Sequence, residues 1–272
     1  MSRLRVFSVT VLLVPVTIVL MGVQWLALKS GSGVAGHLPV VFHRFVCRLF
    51  RVQVSVDGEI ADHRPLLILS NHSSWLDIVV LSSVMPMSFI AKSDVAAWPV
   101  FGTFARLQRS IFVERERRSA TKRAVESIQT RMRGGDAIVL FAEGTTNDGN
   151  RVLPFKSALV GAVQDGMGEA GCVVQPVLVT YKSRGGLPIG RKDRPAISWD
   201  GDMTLLSHLG GIIGGGPIEA AVVFCPPIPA TGDDRLPHNR KLLTKSAEQA
   251  VRQALTETMR RGQGSLSRAA TY

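Results

Sequence analysis

From Val6 to Leu28 the chain reads VFSVTVLLVPVTIVLMGVQWLAL, 23 residues without a charge. Such a run cannot coat a water-soluble domain without presenting a continuous apolar face, and at 1.5 Å per residue it is long enough, as a helix, to cross roughly 30 Å of hydrocarbon. Arg3 and Arg5 precede it and Lys29 follows. The run is longer than the apolar region of a cleaved signal peptide and no A-x-A-like site closes it, so residues 1–30 read as a retained membrane segment. Pro15 and Gln24 leave two courses open, a segment that spans and one that only dips in, because Pro kinks a helix.

In LPVVFHRFVCRLFRVQV, Arg44, Arg48 and Arg51 recur at i, i+4 and i+7, while Val41, Phe42, Phe45, Val46, Leu49 and Phe50 fill most of the remaining surface. This predicts an amphipathic helix within residues 31–52. It either packs on a core or lies at a bilayer with its arginines at the headgroups, and the preceding segment favours the bilayer. A net charge of +11 calls for an anionic partner. With only two tyrosines the chain lacks the aromatic platform of a nucleic-acid binder, so the expected partner is an anionic membrane surface and not nucleic acid. Cys47, Cys172 and Cys225 are far apart, form no CxxC pair and read as core thiols in a reducing compartment.

Beyond residue 52, short apolar runs alternate with longer mixed ones. Strands are expected at 53–56, 66–69, 88–91, 110–113, 137–141, 173–180 and 220–224, and helices at 75–83, 100–107, 120–133, 157–165 and 236–260. Strands separated by helices specify an α/β fold with a mostly parallel central sheet flanked by helices. One domain is expected over residues 53–262, with a disordered tail at 263–272. The glycine-rich LGGIIGGGP lacks the spacing of a dinucleotide turn.

Two stretches carry chemistry. In SNHSSWLDIVV, His72 and Asp77 are five residues apart, roughly 140° around an ideal helix, so they converge only if His72 precedes the helix. With a helix starting near Ser73 or Ser74, the carboxylate can fix the imidazole tautomer and leave the other ring nitrogen to accept a proton. The same spacing also suits a solvated histidine with Asp77 serving the positive helix N-terminus. In IVLFAEGTTNDGNRVLPFKSAL, a strand runs into Glu143, Gly144 and Thr145, then a polar turn, then Arg151 and Lys156. This suits an anionic or polyhydroxylated headgroup, and equally a tight turn with a solvated glutamate.

The order of these blocks resembles the glycerolipid acyltransferases that esterify lysophospholipids, typified by bacterial 1-acyl-glycerol-3-phosphate acyltransferase. NHSSWLD matches their NHxxxxD box, SIFVER is similar to G-x-IFIDR, FAEGTT to FPEGTR, and VQPV to VxPV, covering roughly residues 55–230. The resemblance implies a glycerolipid acyltransferase-like fold and a membrane-bound enzyme. His72 is then the general base on a free hydroxyl of the lysolipid, Asp77 its orienter, and Arg115, Glu143, Gly144 and Thr145 line the acceptor site. It implies no metal or cofactor, with acyl-CoA or acyl carrier protein as co-substrate, and a bacterial inner membrane with the catalytic domain on the cytoplasmic side. The expected acceptor is 1-acyl-sn-glycerol-3-phosphate.

Two departures bear on that acceptor. Ala142 replaces the proline of FPEGTR and Thr146 replaces its arginine, a phosphate ligand, for which Arg151 or Lys156 can substitute. The longer run from Glu143 also resembles the branch that acylates lyso-ornithine lipid, the alternative acceptor. A non-catalytic basic protein bound to membranes is the alternative of another class.

Overall fold

Leu66–Ser70 (β2) is buried along its whole length, as a strand with parallel neighbours on both sides must be. Its odd and even residues serve different cores. Leu66 and Ile68 join Val80 and Leu81 on one face, and Leu67 and Leu69 join Ile128 and Met132 on the other. A computed structural model describes residues 3–113, 118–158, 160, 173–199, 204–229 and 240–269.

The remaining strands are Val52–Asp57 (β1), Ser88–Lys92 (β3), Ile111–Val113 (β4), Ala137–Phe141 (β5), Val173–Arg184 (β6), Leu187–Pro188 (β7), Ile218–Phe224 (β8) and Ile228–Pro229 (β9). Their order across the sheet is β1-β8-β6-β2-β5-β3-β4, with β7 and β9 flanking β6. Pairing is parallel from β6 through β2, β5 and β3 to β4. β8 enters antiparallel to β6 and carries β1 parallel to itself. All seven strands expected from sequence are present, and the sheet is mostly parallel as expected.

Leu76–Val84 (α3), Phe101–Leu107 (α4) and Arg118–Arg133 (α5) match expected helices closely. The helix expected at 157–165 and Cys172 lie largely or wholly outside the described residues. The helix Leu205–Gly214 (α6) covers most of the glycine-rich stretch and was not expected there. Arg240–Ala269 (α7) keeps helical backbone past residue 262, into the segment expected to be disordered. Cys47 and Cys225 are buried, and burial pushes both thiols up to about 11, in keeping with inert core thiols.

The N-terminal helices depart from the expected arrangement. Arg3–Lys29 (α1) is one continuous helix through Pro15. It is tied to the domain near both ends: Arg5 Nη1 donates to Gly215 O at 2.6 Å, and Gln24 Nε2 donates to Ala35 O and Leu107 O, each at 2.9 Å. Its outward face, including Phe7, Val11, Ile18 and Trp25, stays exposed. The amphipathic helix is Val34–Phe50 (α2). Its apolar side is turned inward, with Val46 and Phe50 buried and Phe42, Phe45 and Leu49 packed against the same core as α3. Core burial satisfies those side chains, so Val34, His37, Val41 and the arginines remain outward.

Candidate active site

β2 and β5 end in register at Ser70 and Phe141, so the segments that follow leave the sheet side by side from its C-terminal edge. α/β sheets place ligand sites at this edge. The Ala142 N–H donates back to Ser70 O at 3.0 Å, joining the two exits. Gly144 takes φ 70°, a conformation that lets the chain turn sharply after Glu143.

α3 begins at Leu76, slightly later than the spacing predicts, which leaves His72 in the turn and Asp77 in the first helical turn. His72 Nδ1 lies 3.0 Å from Asp77 Oδ2. The same oxygen accepts the N–H groups of Ser73 at 2.7 Å and Ser74 at 2.9 Å, and Oδ1 accepts the Tyr181 hydroxyl at 2.6 Å. The carboxylate therefore serves the helix N-terminus and the imidazole together, joining the two roles that spacing alone left apart. Facing a carboxylate, Nδ1 carries the hydrogen, and Nε2 is the acceptor. The ring stacks on Phe141, centroids 3.8 Å apart and planes 12° from parallel, with 16% of the side chain exposed.

Glu143, expected to line the acceptor site, lies buried beneath the turn. It is 1% exposed, and its oxygens accept Asn147 Nδ2 at 2.5 Å and the Leu153 N–H at 3.1 Å. Burial pushes its carboxyl up to about 7, against the opposing pull of Leu153, Asn147 and the His72 amide. Asn147 Nδ2 also reaches His72 O at 3.2 Å, while its Oδ1 accepts the Gly149 N–H at 2.7 Å. Glu143 thus braces the histidine turn from within. Gly144 and Thr145 follow it, with Thr145 exposed. Arg151 is exposed and lines a small cavity behind the turn with Asn71, Ser73, Gly149 and the buried Arg194. Lys156 is exposed, and its backbone N–H donates to Ala142 O at 2.8 Å. Arg115 lies outside the described residues.

Sequence reasoning missed four supporting residues. Asn71 and Tyr181 tie the turn to β6, and Asn147 ties it to Glu143. His208 Nδ1 accepts the indole N–H of Trp75 at 2.8 Å, fixing α6 beside the turn. The NDG run did announce the Asn147 to Gly149 turn, since Asn folds back on its own backbone there. Nothing local announced the reach of these side chains across the sheet.

Comparison with known proteins agrees with this geometry. Residues 51–180 match the family model described as Acyltransferase. The lyso-ornithine lipid O-acyltransferase of Brucella abortus is 46% identical over 95% of this chain and 96% of its own length. The chain belongs to this acyltransferase family. The lyso-ornithine lipid O-acyltransferase of Rhizobium meliloti is 43% identical over 94% of this chain and 87% of its own. The 1-acyl-sn-glycerol-3-phosphate acyltransferase of Neisseria meningitidis is 33% identical over 56% and 62% respectively. The crystal structure of the 1-acyl-sn-glycerophosphate acyltransferase from Thermotoga maritima shares the fold, with a TM-score of 0.63 over 94% of this chain and 97% of that one, at 19% identity. The protein is an acyltransferase, with a fold in which the family's histidine and acidic blocks meet at one sheet edge.

Proposed function

We propose that this acyltransferase moves a fatty acyl group from a thioester donor, acyl-CoA or acyl carrier protein, to the free hydroxyl of lyso-ornithine lipid. The observation that carries the chemistry is the His72–Asp77 pair, with Nδ1 committed and Nε2 left to face a substrate. Nε2 takes the hydroxyl proton as the oxygen bonds to the thioester carbon. The carbon–sulfur bond then breaks, and the imidazolium returns the proton to the departing thiolate. The bonds from Ser73, Ser74 and Tyr181 hold the Asp77 carboxylate aligned for the imidazolium.

The acceptor follows from two supports. The relatives similar over nearly the whole chain bear the lyso-ornithine name, and Thr146 stands where a phosphate-binding arginine is expected. A lysolipid with a phosphate headgroup is the second reading, supported by the exposed Arg151 close behind the turn and by the Neisseria relative. The exposed apolar face of α1, on a helix held along the domain at both ends, supports a protein seated in one leaflet by that face. A cytoplasmic orientation suits either donor.

The test is transfer by the purified full chain in detergent, from each donor to each acceptor, beside His72→Ala. Loss of a general base should lower turnover about 10²- to 10⁴-fold while folding and vesicle binding persist. Transfer to the phosphate acceptor alone would install the second reading. An active His72→Ala protein would remove the proposed chemistry.

A further inference from the structure

Orienting His72 uses one oxygen of Asp77. The other, Oδ1, accepts the Tyr181 hydroxyl at 2.6 Å, a length typical of an O–H donor on an ionised acceptor. Tyr181 is 4% exposed and belongs to the core cluster beneath α3. Burial, and next the charge of Asp77, raise its phenol well above the ordinary tyrosine range, so it stays a donor throughout the working pH range. A phenylalanine would fill the same space but leave Oδ1 without its donor.

We infer that Tyr181 is a positioning residue of the transfer reaction, a third member of the His72–Asp77 arrangement that sets both the plane of the carboxylate and how strongly it stabilises the imidazolium. This rests on His72 as the base of the proposed function. The phenol draws part of the carboxylate charge toward Oδ1, away from the ring. Without it, more charge faces His72, the imidazolium holds its proton more tightly, and the base form is reached only at higher pH. A packing role for Tyr181 predicts none of this.

The chain has two tyrosines, Tyr181 and Tyr272, so a Tyr272→Phe protein grown on 3-fluorotyrosine carries one fluorine label, at Tyr181. Glu143, whose carboxyl titrates at about 7 beside the same turn, is replaced (Glu143→Gln) in every protein of this comparison. In that background the ¹⁹F resonance is expected to titrate with the midpoint of the acid limb of kcat/KM, and this titration is expected to vanish in His72→Ala. Tyr181→Phe is expected to move the acid limb upward by about half a pH unit or more. It should lower kcat about tenfold with acceptor KM held within about twofold. A resonance blind to that titration, with Tyr181→Phe and parent pH profiles superimposed, would leave Tyr181 a packing residue and overturn the inference. If Tyr181→Phe does not fold, the fluorine titration decides alone. Failure of the general-base reading shows separately, as transfer that survives His72→Ala.

Discussion

The side-chain amide of Asn71 meets the main chain of Val179 twice: Nδ2 donates to the carbonyl at 2.9 Å, and Oδ1 accepts the N–H at 2.8 Å. Both residues are buried. The turn that carries His72 is thereby fastened to β6 immediately after β2 ends. Asn71→Asp keeps the volume and the acceptor but sets a carboxylate oxygen against the Val179 carbonyl. We expect it to cost about 2–4 kcal/mol in urea unfolding, with an unchanged slope, and to lower kcat in conditions where the protein stays folded.

Asp77→Asn tests the tautomer. An amide cannot accept on both sides, so it either turns its NH₂ toward the donors Ser73, Ser74 and His72 or faces the Tyr181 hydroxyl with it. Where the NH₂ faces His72 the hydrogen is no longer held on Nδ1, whereas an oxygen facing it keeps the tautomer but not the charge that stabilises the imidazolium; in either case kcat should fall about 10²- to 10⁴-fold. ¹⁵N spectra of labelled histidine, which report where the hydrogen sits, separate the two orientations. An unchanged tautomer with unchanged activity would mean that Asp77 serves only the helix terminus.

Glu143 makes stability depend on pH with a predictable sign. Its carboxyl titrates at about 7 in the fold against an ordinary value of 4.5. Between those values the folded state keeps a proton that the unfolded chain has lost. The contribution is therefore fully present below the lower value, lost as pH rises to the higher one, and flat beyond; its size is of order 3 kcal/mol. Glu143→Gln should flatten this part of the stability profile, measured as melting temperature from pH 4 to 8 against the parent. Identical slopes in the two proteins would refute the assignment.

Gly149 has φ 72°, and a Cβ placed there would stand 2.8 Å from Ser198 Oγ and 3.7 Å from Ser73 Cβ. Gly149→Ala combines a left-handed alanine with that crowding, and should cost about 1–3 kcal/mol. The double variant Gly149→Ala/Ser198→Gly should recover the part due to crowding and keep the backbone penalty. Unfolding free energies of the parent, the single and the double variant separate the two.

Much of the architecture was legible from short-range pattern. The alternation of apolar strands with helical stretches predicted the seven main strands, most plainly at β2 and β5, where burial on both faces writes itself as continuous Val, Ile and Leu runs. The helix Leu205–Gly214 escaped because its glycines argue against helix by propensity, whereas packing against α1 and the Trp75–His208 bond hold it. The inward turn of α2 escaped for a related reason. An apolar stripe looks the same whether it faces lipid or a neighbouring helix.

At the site, sequence by itself singled out the pair proposed to react. His72 and Asp77 are separated by a helix start, and the geometry of that junction brings an i and i+5 pair together through local chain alone. It also determined the apolar N-terminal helix and the order of the family blocks. The tertiary structure alone decided how the pair is held. Asn71 reaches Val179 and Asp77 reaches Tyr181 across more than a hundred residues of chain, and Asn147 joins Glu143 to the carbonyl of His72. Those partners meet because β2, β5 and β6 are laid side by side in one register. Register is set by burying whole strands, which the residues of any one loop do not encode.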